Sequence, residues 1–252
     1  MNLAPSRCSV LVPDWLWAGA HLTRRHPRPR RRPQGRIGNL YRVTPVDDAA
    51  AAVDAAWEAG LRYFDTAPHC GLGLSERRLG AALRGRPRDE YVISSQVGRL
   101  LVPNEEPRGV DTEGFVVRDD LRRQWDFSRD GVLRSIEDTL ERTGLDRLDV
   151  VYLHDPDDHW PAGRRGGHAH LAELSDQGVI GAIGAGMNQS AMLARFLRET
   201  AADVAMPAGA AHSWTSRRWT TSCPPHENWA RAWWRWGSST RDCSPGTGPP
   251  RA

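Results

Sequence analysis

Between residues 37 and 206 helix-forming and strand-forming segments alternate, and this limits the possible folds more than any other feature of the chain. Thr44-Pro45-Val46-Asp47 reads as a helix start, with a threonine cap and proline at the first helical position. The alanine-rich run 47–59 continues that helix and Gly60 ends it. "LRYFDTA" (61–67) follows as a strand, Ser75 caps a second helix through "ERRLGAALR", and "YVISSQV" (91–97) is the next strand. After a long loop, 98–127, Ser128 opens a third helix with Val132, Leu133, Ile136 and Leu140 on one face, stopped by Gly144. "LDVVYLHD" (148–155) has the continuous apolar character of a strand buried on both faces of a parallel sheet. A helix near 168–177, the strand "VIGAIGAG" (179–186), a helix near 190–200 and a short strand near 202–206 complete the series.

Repeated βαβ units of this kind make either a doubly wound sheet or a (β/α)8 barrel. The turn Gly71-Leu72-Gly73 lacks the third glycine of a dinucleotide-binding fingerprint, and no suitable acidic residue closes the next strand. Polar residues do recur at or just past the C-terminal ends of successive strands: Asp65, Gln96, His154 and Asn188. Barrel enzymes carry their chemistry at that end, so the expected fold is an α/β barrel.

Composition divides the chain into three zones. Residues 1–36 include the Arg/Pro run "RRHPRPRRRPQGR", and 207–252 hold six of the eleven tryptophans among many Ser, Pro, Thr and Gly. Neither end has a helical or strand period, so both read as solvated tails or as out-of-frame translation. The arginine run has no interleaved aromatics, which argues against a nucleic-acid-binding arm. Net charge is only +3, so no polyelectrolyte role follows. All 34 basic side chains are arginine, which excludes any mechanism needing a catalytic or Schiff-base lysine.

Four scattered cysteines without a C-x-x-C pair favour a reducing, cytoplasmic setting over a disulfide framework. No apolar run reaches the roughly 20 residues that span a bilayer. The carboxylate-rich stretch "HDPDDH" (154–159) is of a kind that is usually solvated, and no metal is expected there.

An ionisable residue at the end of a buried strand costs desolvation energy unless it is paired or used. Asp65 and His154 each meet that description, and on separate strands of the same polarity they suggest one site. Taken singly, Asp65 reads equally well as a loop cap and His154 as a satisfied strand-end histidine.

The stretches "AAWEAGLRYFDTAPHCGLGLSERRLGAAL" (55–83), "DFSRDGVLRSIEDTLERTGLDRLDVVYLHDPDDH" (126–159) and "GVIGAIGAGMNQ" (178–189) together resemble the aldo-keto reductase family, in its branch of aldose and pyridoxal dehydrogenases. The resemblance implies a (β/α)8 barrel that moves a hydride between NADP or NAD and the carbonyl or alcohol carbon of a small sugar or aldehyde. It covers about 37–206 and fades at Met206, so the last two strands of such a barrel, and the residues that hold the adenosine phosphate, are not recognisable. An unclosed barrel exposes strand edges, and poor solubility and weak cofactor binding are expected from it.

The family's tetrad is a tyrosine proton donor, a lysine that lowers its pKa, an aspartate paired with that lysine, and a histidine that orients the carbonyl oxygen. By resemblance Asp65 stands at the aspartate, His154 at the histidine, and Asn188 at the residue that binds the nicotinamide carboxamide. Cys70 stands at the tyrosine and Gln96 at the lysine. A thiol falls several ångströms short of a phenol's reach, and glutamine carries no charge. Asp65, without a cation, is expected to titrate high. A thiolate role for Cys70 would need a base, and the adjacent His69 points away if the stretch is extended. Two functions are therefore expected from the resemblance: an impaired oxidoreductase, or a catalytically inactive remnant of the fold.

Overall fold

A computed structural model describes residues 37–207, together with two two-residue strands at 18–19 and 232–233. The expectations for the two ends lie otherwise outside the described residues. In chain order the elements are β1 (Ala18–Gly19), α1 (Val46–Glu58), β2 (Tyr63–Asp65), α2 (Leu74–Leu83), β3 (Val92–Val97), β4 (Arg99–Pro103) and β5 (Leu121–Trp125). They continue with α3 (Arg129–Thr143), β6 (Val150–His154), α4 (Trp160–Ala162), α5 (His168–Asp176), β7 (Ala182–Met187), α6 (Ser190–Glu199), β8 (Val204–Pro207) and β9 (Ala232–Trp233).

Seven strands form one sheet in the order β1-β2-β3-β6-β7-β8-β9, and every neighbouring pair is parallel. Each new strand is added to the same edge, so there is no point at which the order reverses. That excludes the doubly wound alternative and leaves a half-barrel, the partial (β/α)8 arrangement expected.

Alternation along each strand separates two apolar clusters. Phe64, Ile93, Val151, Leu153, Ile183, Ala185 and Ala205 face the helices in the main core. Tyr63, Val150, Tyr152, Val204 and Met206 pack together on the opposite face. Fully buried Leu153, Ile93 and Leu171 each contribute about 1.5–3 kcal/mol relative to exposure.

Helix boundaries follow their caps. Ser128 caps α3, its hydroxyl accepting from the Gly131 N–H at 3.1 Å, and Gly144 closes the helix in the left-handed region at φ 68°. Two expected caps are corrected. Pro45, not Thr44, is the N-cap of α1. Gly73, at φ 80°, occupies the N-cap of α2, and Ser75 lies within the first turn, its hydroxyl bonded to that of Thr66 at 2.9 Å.

The expected long loop 98–127 is also corrected. It contains an antiparallel ribbon in which β4 pairs with β5, Arg99 opposite Trp125 and Leu101 opposite Arg123. Between α4 and α5 the helix widens into one π turn, Gly163–Gly167. A Cβ on Gly166 would come within 2.7 Å of the Phe127 carbonyl, so that turn can lie on Phe127 only as glycine.

Candidate active site at the strand ends

The register sets three of the four strand-end residues on neighbouring strands of one sheet. Asp65, the last residue of β2, lies opposite Ser94 of β3. Gln96, two residues further along β3, lies opposite Tyr152, and His154 ends β6 opposite Gly186. Asn188 follows β7 and is exposed. Tyr63 and Tyr152 belong to the cluster on the face away from the helices, so the period of two puts Asp65, Gln96 and His154 on that same face.

Asp65 is buried, and its Oδ1 accepts from the Ser94 hydroxyl at 2.6 Å. Burial pushes its carboxyl up to about 7, against the smaller stabilising effect of that hydrogen bond. The Gln96 amide approaches the Met206 sulfur at 3.9 Å. One layer deeper the Tyr63 and Tyr152 hydroxyls meet at 3.0 Å, and burial raises both phenols.

The His154 imidazole lies between Arg99 and His69, with Asp155 Oδ2 3.6 Å from its Nε2. Burial lowers its pKa well below the ordinary value, and the nearby Arg99 lowers it further. The His69 ring stands edge-on to it with centroids 5.1 Å apart. His69 is itself pushed down to about 3, first by burial and then by Arg123 and Arg99. Arg99 Nη1 lies 3.4 Å from His69 Nδ1, and Arg99 Nη2 donates to Asp155 at 2.6 Å. The same His69 Nδ1 lies 3.5 Å from Glu113 Oε2, so the imidazole sits between a cation and a carboxylate. Arg123 pairs with buried Asp111 at 2.6 Å and donates to the His69 carbonyl at 2.9 Å.

Cys70 sits half-buried on a turn, its N–H donating to the Ala67 carbonyl at 3.0 Å. Further bonds from Gly73 N–H to Pro68 and from Leu74 N–H to Gly71 show that 68–74 is coiled rather than extended. The stretch is therefore not extended, the condition on which His69 was expected to point away from Cys70, and the turn sets its ring against His154. The ribbon arginines Arg99 and Arg123 carry no signal in the sequence, whereas Tyr63 and Tyr152 are recoverable by counting back two from Asp65 and His154. Among the described residues no group of three or more His, Cys, Asp or Glu is arranged to hold a metal ion, and no helix is long and apolar enough to cross a membrane.

Residues 35–217 match the model of the aldo/keto reductase family. D-threo-aldose 1-dehydrogenase of a Pseudomonas species is 50% identical over 177 residues, covering 69% of this chain and 54% of the relative. Pyridoxal 4-dehydrogenase of Microbacterium luteolum is 35% identical over 191 residues, covering 69% and 56%. Among solved structures, the glycerol dehydrogenase of Gluconobacter oxydans superposes with a TM-score of 0.52 at 26% identity, covering 68% of this chain and 48% of that one. The chain thus spans a little over half the length of these curated relatives. A parallel half-barrel wound in one direction, polar strand ends gathered on one face, and a family match over most of the chain agree: the protein belongs to the aldo-keto reductase family.

Proposed function

We propose that the chain is an oxidoreductase of aldo-keto reductase type, acting between NADP or NAD and the carbonyl or alcohol carbon of a small sugar or aldehyde, and impaired at proton transfer. The observation that carries this reading is a buried Asp65 bonded to Ser94, with Gln96 on the neighbouring strand where the family has a lysine. His154, neutral and at the strand end, is suited to orient a carbonyl oxygen.

The family implies a nicotinamide dinucleotide, and the residues present fit its nicotinamide end. The exposed Asn188 amide offers both the donors and the acceptor that a carboxamide requires. When bound, that group supplies the hydride, and the protein's share is orientation and the proton. The proton is where this chain falls short. Cys70 does not reach the oxygen that a phenol would reach, and no ammonium stands beside Asp65 to activate a donor.

Loss of a general acid typically costs about 10²–10⁴-fold in rate. Oxidation of NADPH or NADH with small aldehydes and neutral aldoses tests the reading, beside a Cys70→Tyr/Gln96→Lys double variant. The expected result is slow turnover by the natural chain, rising at least about 100-fold in the variant. Equal turnover by the two would refute impairment. No turnover by either, with no cofactor binding, would favour the inactive remnant.

A further inference from the structure

Outside the sheet, a cavity of about 580 Å³ opens between the π turn with the start of α5 and the C-terminal end of α6. Its lining includes Arg164, Arg165, His168, Arg198, Glu199 and Thr200. Three arginines, two from the π turn and one from α6, thus line one space. Guanidinium stays charged at any physiological pH.

The local acids do not cancel that charge. Glu199 is the one carboxylate of the lining, and it is already bonded to Arg195 at 2.6 Å and lies 3.5 Å from Arg164. Those arginines and Arg198 hold its carboxyl below the usual range. Arg165 and Arg198 form no ion pair among the described residues. A cation at the C-terminal end of α6 complements the helix dipole, which accounts for Arg198 alone. It does not account for Arg164 and Arg165, which the widened turn between α4 and α5 brings to the same space. The Thr200 hydroxyl donates to the Phe196 carbonyl at 2.7 Å, so one helix-end carbonyl is already satisfied. The His168 ring is held in the wall against Phe196, centroids 5.5 Å apart.

We propose that this cavity binds a small phosphate-bearing molecule through Arg164, Arg165 and Arg198. Forked guanidinium donors match phosphate oxygens in pairs, and an open depression of about 580 Å³ leaves room beside them for more than the bare ion. The site lies on the helix layer, away from the sheet face that carries Asp65 and His154, and does not depend on the reading of that face.

Ribose 5-phosphate, inorganic phosphate and ribose, each titrated into the ¹⁵N-labelled chain at constant ionic strength, test it. Saturable shifts in the backbone amides of 163–168 and 198–201 are expected with the two phosphates and not with ribose. Arg165→Ala/Arg198→Ala should weaken ribose 5-phosphate at least tenfold, whereas Arg118→Ala, on the ribbon and paired with Asp120, leaves it unchanged. Glu199→Gln should tighten it, a gain that a loss of folding cannot imitate. Equal affinities for phosphate and ribose 5-phosphate support a site that reads the anion alone, and tighter ribose 5-phosphate supports occupation of the whole cavity. Equal binding by ribose, unchanged affinity in the double variant, or shifts elsewhere in the chain would overturn the proposal.

Discussion

Replacing Gln96 by lysine would place a cation on the sheet face of Asp65, and its effect follows from the register. Asp65 lies opposite Ser94, and Gln96 is two residues further along the same strand on the same face. Such diagonal neighbours are about 7–8 Å apart at the backbone, within reach of a long side chain. In the natural chain burial raises Asp65 from 3.8 to about 7. The folded state therefore keeps a proton that the unfolded chain gives up above about pH 4. Between those values the folded state binds more protons, so stability falls as pH rises, by about 1.4 kcal/mol per unit and about 4 kcal/mol in all. Below pH 4 the contribution is complete, and above 7 it is gone. An ammonium about 4 Å from the carboxylate offers a similar energy, about 4 kcal/mol at an effective dielectric of 20. Gln96→Lys should therefore return Asp65 to the ordinary carboxylate range and abolish the slope.

Denaturant unfolding at pH 4, 5, 6 and 7 provides the measurement. His69 and His154 titrate low in the folded state and contribute a slope of opposite sign, with stability rising as pH rises towards 6.5. Comparison with Asp65→Asn cancels them: natural chain minus Asp65→Asn isolates the carboxyl. The expected difference changes by about 4 kcal/mol across the range in the natural background and by less than about 1 kcal/mol in the Gln96→Lys background. The desolvation cost of the new lysine shifts all four values equally and leaves the slope untouched. An unchanged slope in Gln96→Lys would mean that position 96 does not face Asp65. A flat natural profile would mean that Asp65 is ionised throughout.

Two further outcomes test the packing that supports the site. Glu76 is fully buried on α2 and accepts from Arg142 of α3 at 2.6 Å and from Thr139 at 2.8 Å, so Arg142→Ala should cost about 3–5 kcal/mol in urea unfolding. Glu76→Gln, which keeps the hydrogen bonds to Thr139, should cost less. Gly80 lies where a Cβ would come within 1.9 Å of the Thr143 carbonyl, so Gly80→Ala should destabilise by at least about 1–3 kcal/mol by thermal unfolding, whereas Gly85→Ala, in open space, should be neutral or slightly stabilising.

Much of the half-barrel is legible because buried parallel strands leave a signal that tertiary packing does not rewrite. "VVYLH" is apolar on both faces, and Ser128 with Gly144 brackets α3 as capping chemistry requires. Ser75 misleads for a local reason: Gly73 adopts the left-handed conformation one residue before α2 and takes the cap, which releases the serine to bond Thr66. The ribbon is hidden because "LRRQW" carries no apolar period. Its strand is held by the backbone ladder and by Arg123 on Asp111. The imidazole beside His154 is hidden for the same kind of reason, since only the coil at 68–74 turns His69 inward. What sequence patterns miss here is whatever arginine pairs and turns, rather than apolar periodicity, put in place.

That division bears on the chemistry of the site. A tetrad with lysine and aspartate is a buried ion pair, whose desolvation cost is repaid only while both partners are present. Losing the lysine alone would strand an ionised carboxylate in the sheet. Arginine, the only strong cation this chain uses, cannot shed its proton to avoid burial. Gln96 and a protonated Asp65 are the arrangement that leaves no such charge, and His69 and His154 are neutral as well. The charged groups Arg99, Arg123, Asp111, Glu113 and Asp155 pair among themselves around the two imidazoles. Burial thus favours the neutral forms of Asp65, His69 and His154, and a strand-end face built from such groups works through hydrogen bonds rather than through a fixed internal charge.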